Sequence, residues 1–242
     1  MTTELPASLV DKVAAVIHLL REAAERHAPV VFASSLGAED MVLTDLIWRE
    51  NLPIGIFSLD TGRLPAETYE LLAAVERHYG RRIEVIFPAA ADVENYVRQH
   101  GINGFYDSIE ARKACCHARK VLPLGRALAG KGAWATGLRA APSTTRSDLA
   151  PVARDEANGL TKLNPLLDWE EDDVWAYLRA RQVPYNALHD QGYPSIGCAP
   201  CTRAIQPGED IRAGRWWWEN PQTKECGLHM VDGRLQRIAK PA

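Results

Sequence analysis

The chain has 242 residues, 46% of them hydrophobic and 24% charged, enough to bury a substantial core as one globular domain with a functional tail. Its formal charge of −3 excludes a general affinity for polyanions, so any cationic site must be local and no nucleic-acid partner is expected. No apolar run approaches the length of a membrane span, and the opening MTTELPASLVDKVAAVIHLL has no basic region before its apolar positions. Neither a signal peptide nor an anchor is read, and the expected address is cytoplasmic, with no membrane partner.

In chain order, Leu9, Val10, Val13, Ile17 and Leu20 recur at helical spacing over residues 9–25. PVVFA then reads as a buried strand, followed by the loop SSLGAED (34–40) and a helix with apolar Met41, Val42, Leu43 and Leu46. IGIFSL reads as a second strand, DTGR (60–63) as its exit loop, and Ala66 to His78 as a helix. IEVIF and AWATGL read as two further strands, the last leaving through GLRAAPSTTR (137–146). After Pro165 a helix is expected over Glu170 to Arg181, and beyond Pro184 the chain turns rich in Gly, Pro, Cys and Arg without clear periodicity. The alternation predicts an α/β fold: a parallel sheet with helices on both faces, binding ligands beyond the carboxyl ends of its strands. Residues 1–206 are expected to form the ligand-binding domain and 207–242 a C-terminal segment.

Ser34, Ser35 and Gly37 can bring hydroxyls and backbone N–H groups to a phosphate at a helix N-terminus; simple capping is the alternative. The lack of Gly-Lys-Ser/Thr excludes a Walker loop. DTGR lines a nucleotide pocket or merely turns. Five cysteines, an odd number, suggest a reducing compartment in which thiols act as ligands or nucleophiles. Cys115 and Cys116 are adjacent, and Cα atoms about 3.8 Å apart do not suit a disulfide, which usually needs at least about 4.4 Å. With the C-x-x-C pair Cys198 and Cys201 they make four thiols, which suggests a metal site. Zinc requires all four sulfurs about 2.3 Å from one ion, which is hard for adjacent, diverging side chains. An iron-sulfur cubane spreads its ligands over four irons, so one 4Fe-4S cluster is favoured. Buried core cysteines or a redox pair leave the tandem unexplained.

From SSLGAED to KECGLH, the ordered motifs GAED, LDTGRLPAETY, RKACC followed by RK, NPL, SIGC-x-PCTR, GED-x-R-x-GRWWWE and KECGLH resemble the assimilatory adenylyl-sulfate reductases. The resemblance implies an adenine nucleotide alpha-hydrolase-like fold with a C-terminal catalytic tail. It implies reduction of adenosine 5′-phosphosulfate to sulfite and AMP with thioredoxin, and a 4Fe-4S cluster on Cys115, Cys116, Cys198 and Cys201. Cys226 is left as the nucleophile, forming an S-sulfonate. The matching motifs imply substrate binding by Ser34, Gly37, Leu59, Asp60, Thr61, Gly62, Lys120, Gly137, Arg146, Arg212 and Arg215. Trp216, Trp217 and Trp218 are expected to pack the tail segment. The chain departs from the family pattern at Ser35 and Leu36 before GAED and at Ala140, Ala141 and Pro142 after GLR. Alternatives are the related reductase of the 3′-phosphorylated nucleotide, which generally lacks the cluster cysteines, and a nucleotide-binding iron-sulfur sensor or RNA-modifying protein, which would not need KECGLH. A homo-oligomer is left open.

Overall fold

The structure is a computed structural model and describes residues 4–140 and 150–220. Six strands form one sheet in the order β3-β2-β1-β4-β6-β5. They are β1 (Val30–Ala33), β2 (Ile54–Leu59), β3 (Glu84–Ile86), β4 (Ala133–Ala135), β5 (Val152–Asp155) and β6 (Leu160–Leu163). All pairings are parallel except β5 with β6, an antiparallel hairpin at the edge. That hairpin is absent from the sequence reading. It turns at Asn158-Gly159, where Gly159 takes a φ of 68° that suits a residue without Cβ.

The helices are α1 (Ala7–Arg26), α2 (Ala38–Arg49), α3 (Ala66–Tyr79), α4 (Ala90–His100), α5 (Ile109–Cys116), α6 (Leu122–Leu128) and α7 (Glu171–Arg181). The two-residue period of the strands divides their side chains between two cores. Val30, Phe32, Ile54, Ile56, Ala133 and Ala135 join residues of α1, α2 and α7 on one face. Val31, Phe57 and Trp134 meet Leu124 and Leu128 of α6 on the other. Helices therefore cover both faces, as the run of short apolar strands predicts. No helix among the described residues is long and apolar enough to cross a membrane.

The chain proceeds from β1 outward to β2 and β3, then returns to place β4 on the opposite side of β1. Such a reversal opens a crevice beyond the carboxyl ends of the central strands. Past α7 the chain packs as short 3₁₀ turns, including Ala187–Gln191 and Ala199–Cys201, and one isolated bridge joins Thr202 to Arg215.

Candidate active site

A cleft occupies that crevice. The loop after β1 contributes Ser34, Ser35, Gly37, Glu39 and Asp40; the end of β2 and its exit contribute Leu59, Thr61 and Leu64; the exit of β4 contributes Gly137, Leu138 and Arg139. His189, Ser195, Gly197, Arg212, Arg215 and Trp216 close it from the C-terminal third. The first loop turns at Leu36, whose φ of 64° is costly for a leucine and is held by burial of its side chain. Asp40 gathers this loop: its Oδ2 accepts from the Ser35 N–H and the Ser35 hydroxyl, both at 2.6 Å. A Cβ on Gly137 would stand 2.2 Å from Asp40 Oδ1, so only glycine permits this approach of the β4 exit to α2. Burial raises the Asp40 carboxyl to about 6, against the opposing pull of the Ser35 hydrogen bonds. Lys120, Arg139, Arg212 and Arg215 bring cations to the cleft wall. Arg139 Nε donates to Glu39 Oε1 at 2.8 Å, and Arg215 Nη1 donates to Ser195 Oγ at 3.3 Å and to the Ile196 carbonyl at 3.2 Å.

Beside the cleft, a second hollow is lined by Cys115, Cys116, Cys198 and Cys201 together with Arg63, Phe105, Arg112, Arg119 and Lys120. Lys120 belongs to both walls. Cys115 and Cys116 end α5, which Ser108 caps by accepting from the Ala111 N–H at 3.0 Å. Consecutive helical side chains project about 100° apart, so the two thiols diverge. The helix then widens into a π turn over His117–Val121, in which the Leu122 N–H reaches the His117 carbonyl five residues back. Pro123 has no N–H to continue the α ladder, which gives the widening a sequence cause. The turn carries Arg119 and Lys120, and Arg119 Nη1 donates to the Thr61 carbonyl at 2.6 Å. The 198–201 turn is tied to the same loop: the Ala199 N–H donates to the Arg63 carbonyl at 2.8 Å, and Thr61 Oγ1 lies 3.2 Å from Cys198 Sγ. Burial and the neighbouring Cys198 and Cys116 push the Cys201 thiol up to about 12, and burial also raises Cys115. Phe105, Tyr106, Trp217 and Trp218 cover this region, with ring centres 4.5 Å apart for Tyr106 and Trp218. The tryptophans thus pack the segment that carries them.

The structure gathers Ser34, Gly37, Leu59, Thr61, Lys120, Gly137, Arg212 and Arg215 around the cleft and the four cysteines around the hollow. Asp60 and Gly62 instead shape the connecting loop, where Asp60 Oδ1 accepts from the Gly62 N–H at 2.7 Å and the Tyr69 hydroxyl at 3.0 Å. Arg146 and Cys226 lie outside the described residues. Sequence reasoning did not single out Asp40, Arg139, Arg119 or His189. The first three sit inside quoted motifs, so their signal was present. His189 borders the cleft with its Nε2 buried and without a hydrogen-bond partner among the described residues, and burial lowers its pKa, which favours the neutral ring.

Residues 29–204 match the phosphoadenosine phosphosulfate reductase domain family. Adenosine 5′-phosphosulfate reductase of Allochromatium vinosum is 62% identical over 92% of this chain and 87% of its own length. That of Burkholderia cepacia is 58% identical over 95% of this chain and 92% of its own. Among solved structures, phosphoadenylyl-sulfate reductase from Candida auris in a phosphate complex superposes with a TM-score of 0.67 at 25% identity, covering 85% of this chain and 100% of that one. A Candida glabrata FMN adenylyltransferase, 17% identical with a TM-score of 0.53 over 87% of this chain and 73% of that one, shares the fold alone.

Proposed function

The chain belongs to the phosphoadenosine phosphosulfate reductase domain family, and from that premise we propose that it reduces adenosine 5′-phosphosulfate to sulfite and AMP, with thioredoxin as reductant, in sulfate assimilation. The observation that carries the reading is the shared wall: Lys120 borders both the cationic cleft at the switch point and the four-thiol hollow. A phosphate–sulfate anhydride is polyanionic, and Lys120, Arg212 and Arg215 supply the charge to hold it and to stabilise the phosphate as it leaves. The Cys226 thiolate attacks the sulfur of the sulfate group; an S–S bond forms, the bridging O–S bond breaks, and its electron pair leaves with AMP. A thioredoxin thiolate then attacks Cys226 Sγ, expels sulfite and forms a mixed disulfide that the second thioredoxin thiol resolves.

The four cysteines suit a 4Fe-4S cluster better than zinc. The adjacent thiols of α5 diverge, which suits separate irons better than one shared ion. Two donors of the same region, Arg119 Nε and Trp216 Nε1, are buried without hydrogen-bond partners among the described residues, which suits an anionic group bearing acceptor sulfurs. Cys115, Cys116, Cys198 and Cys201 would hold such a cluster, which would cross-link α5 to the 198–201 turn and add a fixed charge to the hollow that Lys120 borders.

Wild-type protein given substrate without thioredoxin is expected to release one equivalent of AMP and to retain a sulfonate of roughly 80 Da on the peptide bearing Cys226. Cys226→Ser is expected to bind nucleotide and form no sulfite, and the 3′-phosphorylated nucleotide to turn over far more slowly. An adduct on another residue, or undiminished sulfite from Cys226→Ser, would overturn the mechanism.

A further inference from the structure

Tyr96 of α4 carries a hydroxyl for which neither the fold nor the chemistry above has a use. The residue is 4% exposed, and its oxygen is buried without a hydrogen-bond partner among the described residues. The phenols of Tyr177 and Tyr79, by contrast, donate to Asp45 at 2.6 and 2.8 Å. A buried phenol ordinarily finds such a partner, so an orphaned one asks for an acceptor. The ring is walled in on its outer side. The His100 ring lies against it with centres 5.1 Å apart, and the chain at Gly104 folds so close that even a Cβ there would stand 3.5 Å from the Tyr96 oxygen. On its inner side Tyr96 packs with Phe105, Cys115, Cys116, Cys201 and Trp216.

The acceptor beside it is Cys115. Burial raises the phenol's pKa, and among side chains Cys115 adds most to that rise, as a like charge and as a hydrogen-bond partner, with Arg119 and Arg63 opposing it. A protonated thiol is a weak acceptor and leaves a buried O–H unsatisfied, whereas an iron-bound thiolate is anionic and satisfies it. A second hydroxyl repeats the arrangement on the opposite wall, where Thr61 Oγ1 lies 3.2 Å from Cys198 Sγ. Thr61 sits in a strand-exit motif, but Tyr96 lies on a different helix from Cys115 and outside every motif quoted above. It is not part of the hollow's lining either, so it acts on a group held there only through Cys115.

We propose that Tyr96 is a positioning residue for the iron-sulfur group: its hydroxyl donates to the Cys115 sulfur when that sulfur is an iron-bound thiolate, which fixes the Cys115 side chain and ties α4 to the metal group. The role rests on the cluster reading above. It makes Cys115 unlike its neighbour Cys116, and it places one determinant of cluster retention on a helix that carries no cysteine.

The test uses protein purified without oxygen: wild type, Tyr96→Phe, a variant with 4-aminophenylalanine at position 96, which keeps an N–H donor on the same ring, and Tyr106→Phe, whose lost hydroxyl donates to the Pro200 carbonyl at 2.8 Å instead. Two quantities are read, the rate of iron release to a ferrous chelator and the iron–cysteine stretching bands by resonance Raman in H2O and in D2O. Iron release is expected to be about tenfold or more faster in Tyr96→Phe than in wild type. An iron–cysteine band that shifts in D2O in wild type is expected to lose that shift in Tyr96→Phe and to keep it in Tyr106→Phe, a difference that a packing role of the ring would not produce. The 4-aminophenylalanine variant recovers both the shift and the slow release. Release from Tyr96→Phe within about twofold of wild type, or an unchanged D2O shift, overturns the assignment. Should Tyr96→Phe hold no iron, the 4-aminophenylalanine variant decides: iron regained there supports the donor, and iron still absent overturns it. Wild-type protein without a four-iron group overturns the cluster reading and the role of Tyr96 with it; a wild-type cluster that Tyr96→Phe matches in both quantities overturns the role of Tyr96 alone.

Discussion

Adding one methyl group at Gly137 tests whether Asp40 organises the cleft. The new Cβ would stand 2.2 Å from Asp40 Oδ1 and 3.2 Å from both its Cγ and its backbone nitrogen. Ordinary contact begins near 3.4 Å, so the carboxylate must retreat by about 1 Å, and with it the two hydrogen bonds that hold Ser35. Overpacking of this kind costs about 1–3 kcal/mol, and a chain of this size loses about 2–4 °C of melting temperature per kcal/mol. Gly132 provides the control: a Cβ there would stand 2.1 Å from the His27 carbonyl oxygen, an equal clash at the other end of β4, about 17 Å away. Both Gly137→Ala and Gly132→Ala are expected to melt earlier by similar amounts. Only Gly137→Ala is expected to weaken AMP binding in titration calorimetry, by about tenfold or more, equivalent to about 1.4 kcal/mol. Equal AMP affinities in the two variants would refute the assignment of Asp40 as the organiser of the first loop.

Asp40 also predicts a pH dependence of stability. Its folded value, about 6, lies above the ordinary 3.8, so between these pH values the folded chain holds more protons than the unfolded one, and stability falls as pH rises through that window. The loss amounts to about 3 kcal/mol above pH 7 and is absent from Asp40→Asn, so urea denaturation at pH 4 and pH 7.5 is expected to show the variant gaining on wild type by up to that amount; parallel profiles would contradict it. Protein purified without oxygen is expected to be brown with about four irons per chain, and Cys116→Ser or Cys201→Ser to lose iron; a colourless protein with one zinc per chain would defeat the cluster.

The four apolar strands, the helices near residues 9–25, 66–78 and 170–181 and the three strand-exit loops were legible because each rests on local periodicity or punctuation. The β5–β6 hairpin was not, although its Asn158-Gly159 turn was in view, because VARD and LTKL lack the apolar runs that mark buried strands. The four cysteines could be grouped from their residue type, whereas Arg139 pairs with Glu39, 100 positions away, and the close approach of Gly137 to Asp40 spans 97, and only tertiary packing reveals such pairs. Asp60 and Gly62 show the converse: their motif matched, yet they shape the loop while Thr61 between them reaches the cleft.

The hollow has walls made at different times. Cys115 and Cys116 leave the ribosome well before Cys201, which follows Cys116 by 85 positions (201 − 116). At about 5–20 residues per second, the first pair waits roughly 4–17 s for the second. During that interval a nascent chain exposes two adjacent thiols with no opposite wall to close over them. Under the proposed cluster, four-point loading would have to wait for synthesis through Cys201, and premature oxidation of the tandem would be a hazard that translation speed itself sets.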